Sequence, residues 1–176
     1  MGWAVDGNHS QVGWAVQHYG ISIIHGYFKK FETSVDFEGD DPTRWAVEAT
    51  IDAASIESNC EPRDHHLRSP DYFDVEQYPT IAFKSTRVER AGDGYRVVGD
   101  LTIHGVTREV ALDARFGGET TDNQGNPRRG FTASGTVKRS DFNVGPPPDK
   151  PVATAQDVRI TLDAEVVDRA AVPAGR

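Results

Sequence analysis

A single cysteine, Cys60, is the whole thiol content of this 176-residue chain, so no internal disulfide can form. A lone unpaired thiol suits a reducing compartment. Positive charge is scarce too. The chain has 19 lysines and arginines against 27 acidic residues, giving a net charge of −8. Such a surface repels polyanions, which argues against nucleic acid and anionic membranes as partners. No apolar run approaches the ~20 residues of a membrane helix, so stable membrane insertion is not expected. The N-terminal "MGWAVDGNHSQVGW" has neither the basic nor the apolar segment of a secretory leader, and the resulting expectation is a cytoplasmic protein. G-x-S-x-G, P-loop and H-E-x-x-H motifs are all missing. So are HxH and HxxxH pairs, which would set two imidazoles on one face.

What the chain does have is period-two alternation. "SQVGWAVQHY" sets Val12, Trp14, Val16 and His18 on one face, and "FETSVDFE" does so for Phe31, Val35 and Phe37. "WAVEATIDA" contributes Trp45, Val47 and Ile51, and "TIAFKSTRVE" contributes Ile81 and Phe83. "YRVVGDLTI" gives Val97, Leu101 and Ile103, "REVALDARF" gives Leu112 and Phe116, and "FTASGTVKR" gives Phe131 and Val137. "DVRITLDAEVV" completes the set. Alternation of this kind means antiparallel strands with one dry and one wet face. About eight such strands suffice for an all-β, eight-strand antiparallel barrel. A two-sheet sandwich would show the same pattern. Asp93-Gly94 reads as a hairpin turn, and "TTDNQGNPRRG" and "GPPPDKP" read as loops. The expected organisation is one domain over residues 1–168, followed by a disordered tail over 169–176.

The longest break between strands holds "RDHHLRSPDYFD", Arg63 to Asp74. Pro62 fits the first turn of a short helix, and Ser69-Pro70-Asp71 fits the start of a second helical turn. Helices here would cap one mouth of the barrel. Arg63, Asp64, His66, Leu67 and Phe73 are then mouth or lid residues, with Arg63 and Asp64 placed to tie the helix to a strand through charge-assisted hydrogen bonds. Phe73 and Tyr78 would plug the mouth.

Three long blocks resemble the YceI-like family: "VDGNHSQVGWAVQHYGISIIHGYFKKFE", "RDHHLRSPDYFDVEQYPTIAFKSTRV" and "GDLTIHGVTREVAL". "VKRSDFNVG" and "VRITLDAEV" resemble its closing strands. Asn143 stands where the family usually has glycine, and "GPPPDKPVATAQ" looks longer than the usual loop. The resemblance implies a lipocalin-like barrel with helical elements at its mouth. It also implies a polyisoprenoid or related amphiphilic lipid inside, and no defining enzymatic activity.

The inward set of Val12, Trp14, Val16, His18, Phe31, Val35, Phe37, Trp45, Val47, Ile51, Phe83, Val97, Leu101, Ile103, Leu112, Phe116 and Phe131 either fills the barrel or lines a lipid cavity. Burial of hydrocarbon at ~0.8 kcal/mol per methylene would dominate affinity, with polar groups orienting the head. His18 points inward if its strand is unbroken. The ligand expected is an isoprenoid, isoprenoid quinone or fatty-acid derivative, for carriage, storage or sensing. No other cofactor and no metal are called for. The alternative is a histidine- or metal-dependent enzyme, which would need a cluster such as His9, His18, His66 and Asp64 to converge. The proline-rich loop also allows an interaction barrel such as a homodimer.

Overall fold

The computed structural model describes residues 3–168; the tail expected at 169–176 lies outside the described residues. Eleven strands and one helix follow in chain order. They are β1 (Trp3–Val5), β2 (Gln11–His18), β3 (Ser22–Phe28), β4 (Phe31–Asp36), β5 (Ala46–Asp52), β6 (Ile56–Glu57), α1 (Glu61–Arg68), β7 (Thr80–Ala91), β8 (Gly94–Ile103), β9 (Val106–Thr121), β10 (Pro127–Lys138) and β11 (Thr154–Asp168). All ladders are antiparallel. They run in the order β4-β5-β7-β8-β9-β10-β11-β2-β3-β6, with β1 also on β11. The result is one curled sheet in the lipocalin-like manner, and not a two-sheet sandwich.

The count is eleven rather than the eight expected. The additional strands are β1, β6 and β3. The first two are three and two residues long, too short to show a period. β3 breaks the alternation because Ile23 is exposed beside the half-buried Ile24, so its apolar residues fall on both faces. Loop lengths also differ from expectation. β9 and β10 run on to Thr121 and back from Pro127, shrinking the "TTDNQGNPRRG" loop to Asp122–Asn126. The β7–β8 loop is Gly92-Asp93, one residue earlier than Asp93-Gly94. Gly92 takes the positive φ of 59° at the first loop position, where the tight hairpin turn needs a residue without Cβ.

β11 pairs on both edges. Its residues 157–167 pair with β10, 154–163 with β2, and Val166–Asp168 with β1. β1 therefore extends the line of β2 past the Asp6–Ser10 turn, and it lies beside β4. That brings the two ends of the sheet together around the dry face. Val166, Ile56 and Phe142 are among the most deeply buried side chains.

An ionic cluster fastens this seam. Arg128 Nη1 donates to Asp6 at 2.7 Å and to Glu165, while its Nε donates to Asp122 at 2.9 Å. Asp6 also meets His9 Nδ1 at 2.9 Å. The Arg128 guanidinium, and then His9, hold the Asp6 carboxyl down to about 2 from its ordinary 3.8. Backbone N–H donation from Asn126, followed by Arg128, holds Asp122 well below the carboxylate range. A carboxyl depressed on folding contributes stability above its unfolded value, and that contribution is lost as pH falls through its folded value. The urea midpoint should therefore fall as pH drops from about 4 to about 2. Arg128→Met should flatten that dependence; an unchanged pH profile in the variant would show that the cluster does not couple to folding.

Candidate functional site

The sheet encloses a cavity of about 360 Å³, within the ~300–1,000 Å³ typical of small-molecule sites. Its wall is almost wholly aliphatic and aromatic. Val12, Trp14, Val16, Phe31, Val35, Trp45, Val47, Ile51, Phe83, Val97, Leu101, Ile103, Leu112, Phe116, Phe131 and Val137 all line it, and so do Arg63, His66, Leu67 and Phe73 from the mouth segment. Regular ladders explain this assembly: residues two apart on one strand must share a face. Trp14 can lie flat against the wall because Gly26 stands opposite, where a Cβ would sit 2.1 Å from the indole.

Two residues expected in the lumen stand elsewhere. His18 does not line the cavity. From Val16 to His18 β2 advances two positions while β11 advances four, from Val158 to Thr154. Beyond that bulge His18 is half-buried at the hairpin tip, its ring 4.5 Å from Tyr19. Phe37 is also off the wall, because β4 stops at Asp36. It packs instead in an aromatic cluster at 5.1 Å from Trp3, 4.8 Å from Trp45 and 5.9 Å from Phe131. The Arg129 guanidinium lies over Trp3, Phe37 and Trp45 at 4.9, 4.6 and 5.4 Å. This cluster closes one end of the barrel. Asp64, one of the expected lid residues, is buried on α1 and is not part of the wall.

The other end is covered by α1 and the segment after it. Pro62 does sit in the first turn of α1. The second helical turn expected at Ser69-Pro70-Asp71 is a tight turn instead. The Asp71 N–H does donate to Ser69 Oγ, at 3.3 Å, but the Phe73 N–H, which a helix would direct to the Ser69 carbonyl, donates to Leu67 O at 3.0 Å instead. Ser58, just after β6, holds the lid: Arg63 donates to its Oγ at 2.6 Å and to its carbonyl at 2.7 Å, and that same hydroxyl donates to Asp64. Tyr78 packs on His104 at 4.5 Å and does not plug the cavity.

Sequence reasoning missed several wall residues. Ile24 and Phe28 lie on the unrecognised β3, and Phe142 ends a short 3-10 turn, Arg139–Phe142, with Val144 just after it. No periodic signal marks a turn of that length. Asn143 caps it at φ 55°, in the left-handed conformation. That explains glycine as the usual residue there, and asparagine tolerates the same region. The turn carries Arg139 into the wall. Its Nε donates to Ala155 O at 3.1 Å, and its Nη1 to Val144 O and Pro146 O at 3.1 and 2.7 Å. Arg139 Nη2 and Trp14 Nε1 are buried donors with no acceptor among the described residues. Burial pulls the Arg139 guanidinium below its ordinary value.

His9, His18, His66 and Asp64 do not converge. His66 Nε2 lies 2.9 Å from Asp71. Among the described residues, the trio spaced to share an ion is Asp6, His9 and Glu165, and the Arg128 cation already stands between those carboxylates.

The YceI-like domain family matches residues 3–166. The chain belongs to the YceI-like family. A UPF0312 protein of Photorhabdus laumondii is 45% identical over 139 residues, covering 79% of this chain and 72% of that one. Among solved structures, Burkholderia cenocepacia BcnA superposes with a TM-score of 0.82 at 27% identity, covering 92% of this chain and 98% of that one. A polyisoprenoid binding domain from Saccharophagus degradans, at 12% identity, shares the fold with a TM-score of 0.68, covering 96% of this chain and 99% of that one. No helix in the described residues of this YceI-like chain is long and apolar enough to cross a membrane.

The lid of this YceI-like barrel offers a direct test. Ser58→Ala removes the shared hydroxyl and leaves Asp64 buried without that donor, which should cost ~1–3 kcal/mol in denaturant unfolding. Unchanged stability would show that Arg63 and Asp64 do not anchor α1 through Ser58.

Proposed function

We propose that this YceI-like protein binds a long-chain amphiphile, an isoprenoid or a similar lipid, inside its barrel. The observation that carries this is the continuity of the apolar wall, to which both the long strands and α1 contribute. Each buried methylene contributes ~0.8 kcal/mol gross, so a five-carbon isoprene unit offers ~4 kcal/mol. A neutral hydrogen bond adds only ~1 kcal/mol. Affinity therefore follows the length of chain buried, offset in part by the loss of chain freedom. The shared fold of the polyisoprenoid binding domain supports the isoprenoid choice. Among the described residues the wall carries no serine, cysteine, aspartate or glutamate. Its one histidine is engaged by Asp71. This favours binding over chemistry, with carriage, storage or sensing as the role.

Native mass spectrometry of gently purified protein, followed by solvent extraction, should reveal a long-chain lipid at one per chain. Ala133→Trp, which pushes an indole into the cavity, should reduce the retained lipid at least ~10-fold while the fold persists, one decade being ~1.4 kcal/mol. Protein that holds no lipid as isolated, and takes up none when offered farnesol or ubiquinone, is not a lipid binder.

A further inference from the structure

Among the described residues the cavity wall carries basic side chains and no acidic ones. Arg63, His66, Arg115 and Arg139 line it. In a chain of net charge −8, composition alone would place the opposite sign there. Two of the four meet carboxylates directly. Arg115 reaches both oxygens of Asp93 at 3.2 Å. Arg63 donates to Ser58, whose hydroxyl in turn donates to Asp64. His66 meets Asp71.

Arg139 differs. It is 6% exposed, and its contacts are three backbone carbonyls. No carboxylate lies at ion-pair distance among the described residues, and Nη2 has no acceptor. Carbonyl dipoles satisfy N–H groups but leave a net positive charge in a low-dielectric wall, where an unpaired charge is most costly. Neighbouring groups extend the polar surface. A Cβ on Gly145 would lie 2.8 Å from Tyr72 and 2.9 Å from Arg139 Nη1, so both side chains pack around that glycine. The Tyr72 ring is in turn 5.1 Å from His66. Arg139, Tyr72 and His66 thus form one polar side at the lid end, away from the Phe37 aromatic cluster.

We propose that Arg139 is the head-group residue of the cavity and that it binds an anionic oxygen, the carboxylate or phosphate of an amphiphile. This rests on the reading that the cavity holds a lipid chain. A neutral hydroxyl or ester would occupy the Nη2 donor without compensating the charge. The anionic head lies at the lid end, and the hydrocarbon runs towards Phe116 and Phe131.

The test uses the full chain and displacement of the neutral probe N-phenyl-1-naphthylamine at mildly alkaline pH. Dodecanoate, dodecyl phosphate, methyl dodecanoate and 1-dodecanol are compared below their aggregation limits. Either or both anions should bind at least ~10-fold more tightly than the ester and the alcohol, a charged hydrogen bond being stronger than a neutral one. Which anion is preferred separates a fatty-acid source from a phosphorylated one. R139M should erase the preference, and R115M, on a guanidinium already paired with Asp93, should retain it. Because Arg139 also ties three carbonyls, R139M is checked by circular dichroism. Should it unfold, a crystal structure with the tighter anion decides: a head-group oxygen within hydrogen-bond reach of Nη2 supports the proposal, and a head group elsewhere overturns it. Equal affinity for all four ligands overturns the anion site while leaving chain binding intact. Displacement by none of them overturns both readings.

Discussion

The double pairing of β11 is the constraint on which the rest of the structure depends. A sheet with one dry face must cover that face, and this sheet does so by curling until β1 and β4 lie side by side. That closure requires β11 to hold β10 on one edge and both β2 and β1 on the other. The Arg128 cluster reinforces the same place, binding Asp6 before β2, Asp122 in the β9–β10 loop and Glu165 on β11. Three chain-distant carboxylates on one guanidinium bring together segments that no single ladder joins.

With the seam held, the two ends of the barrel are closed by different physics. One end is aromatic, with Phe37, Trp45, Phe116 and Phe131 in edge-on and stacked pairs beneath Arg129. The cation and the ring quadrupoles attract, and the area buried is large. The other end is covered by a short helix whose anchor is polar, with Arg63 and Asp64 meeting at Ser58. An eight-residue helix has little intrinsic stability. Its position therefore rests on these tertiary contacts. This asymmetry suits an amphiphile: hydrocarbon towards the aromatic end, head group towards the polar one.

The long strands and most of the cavity wall were legible in the sequence because a strand's period is two and its faces separate by parity. Val12, Trp14, Val16, Val47, Ile51, Leu101 and Leu112 follow that rule without interruption. The exceptions mark where parity fails. His18 lies past a bulge, Phe37 past a strand end, and Ile24 and Phe28 in a strand with apolar residues on both faces. The mouth segment was legible as a short helix with Pro62 in its first turn. Its second turn was not, because the bond from the Phe73 N–H back to Leu67 depends on how the chain folds back.

The sequence by itself determined the all-β class, the dry-faced strands and a predominantly apolar lumen, since these follow from local alternation. Its family blocks pointed to the same architecture. Only the tertiary structure decided the sign and place of charge inside. Arg139 sits in a short turn with no periodic signal, and whether its guanidinium meets a carboxylate depends on which loops pack beside it. The segments that do, the loop at Val144–Pro146 and Ala155 at the start of β11, present carbonyls. Net composition cannot reveal that outcome, because a single buried charge is governed by its few nearest neighbours and not by the chain's total.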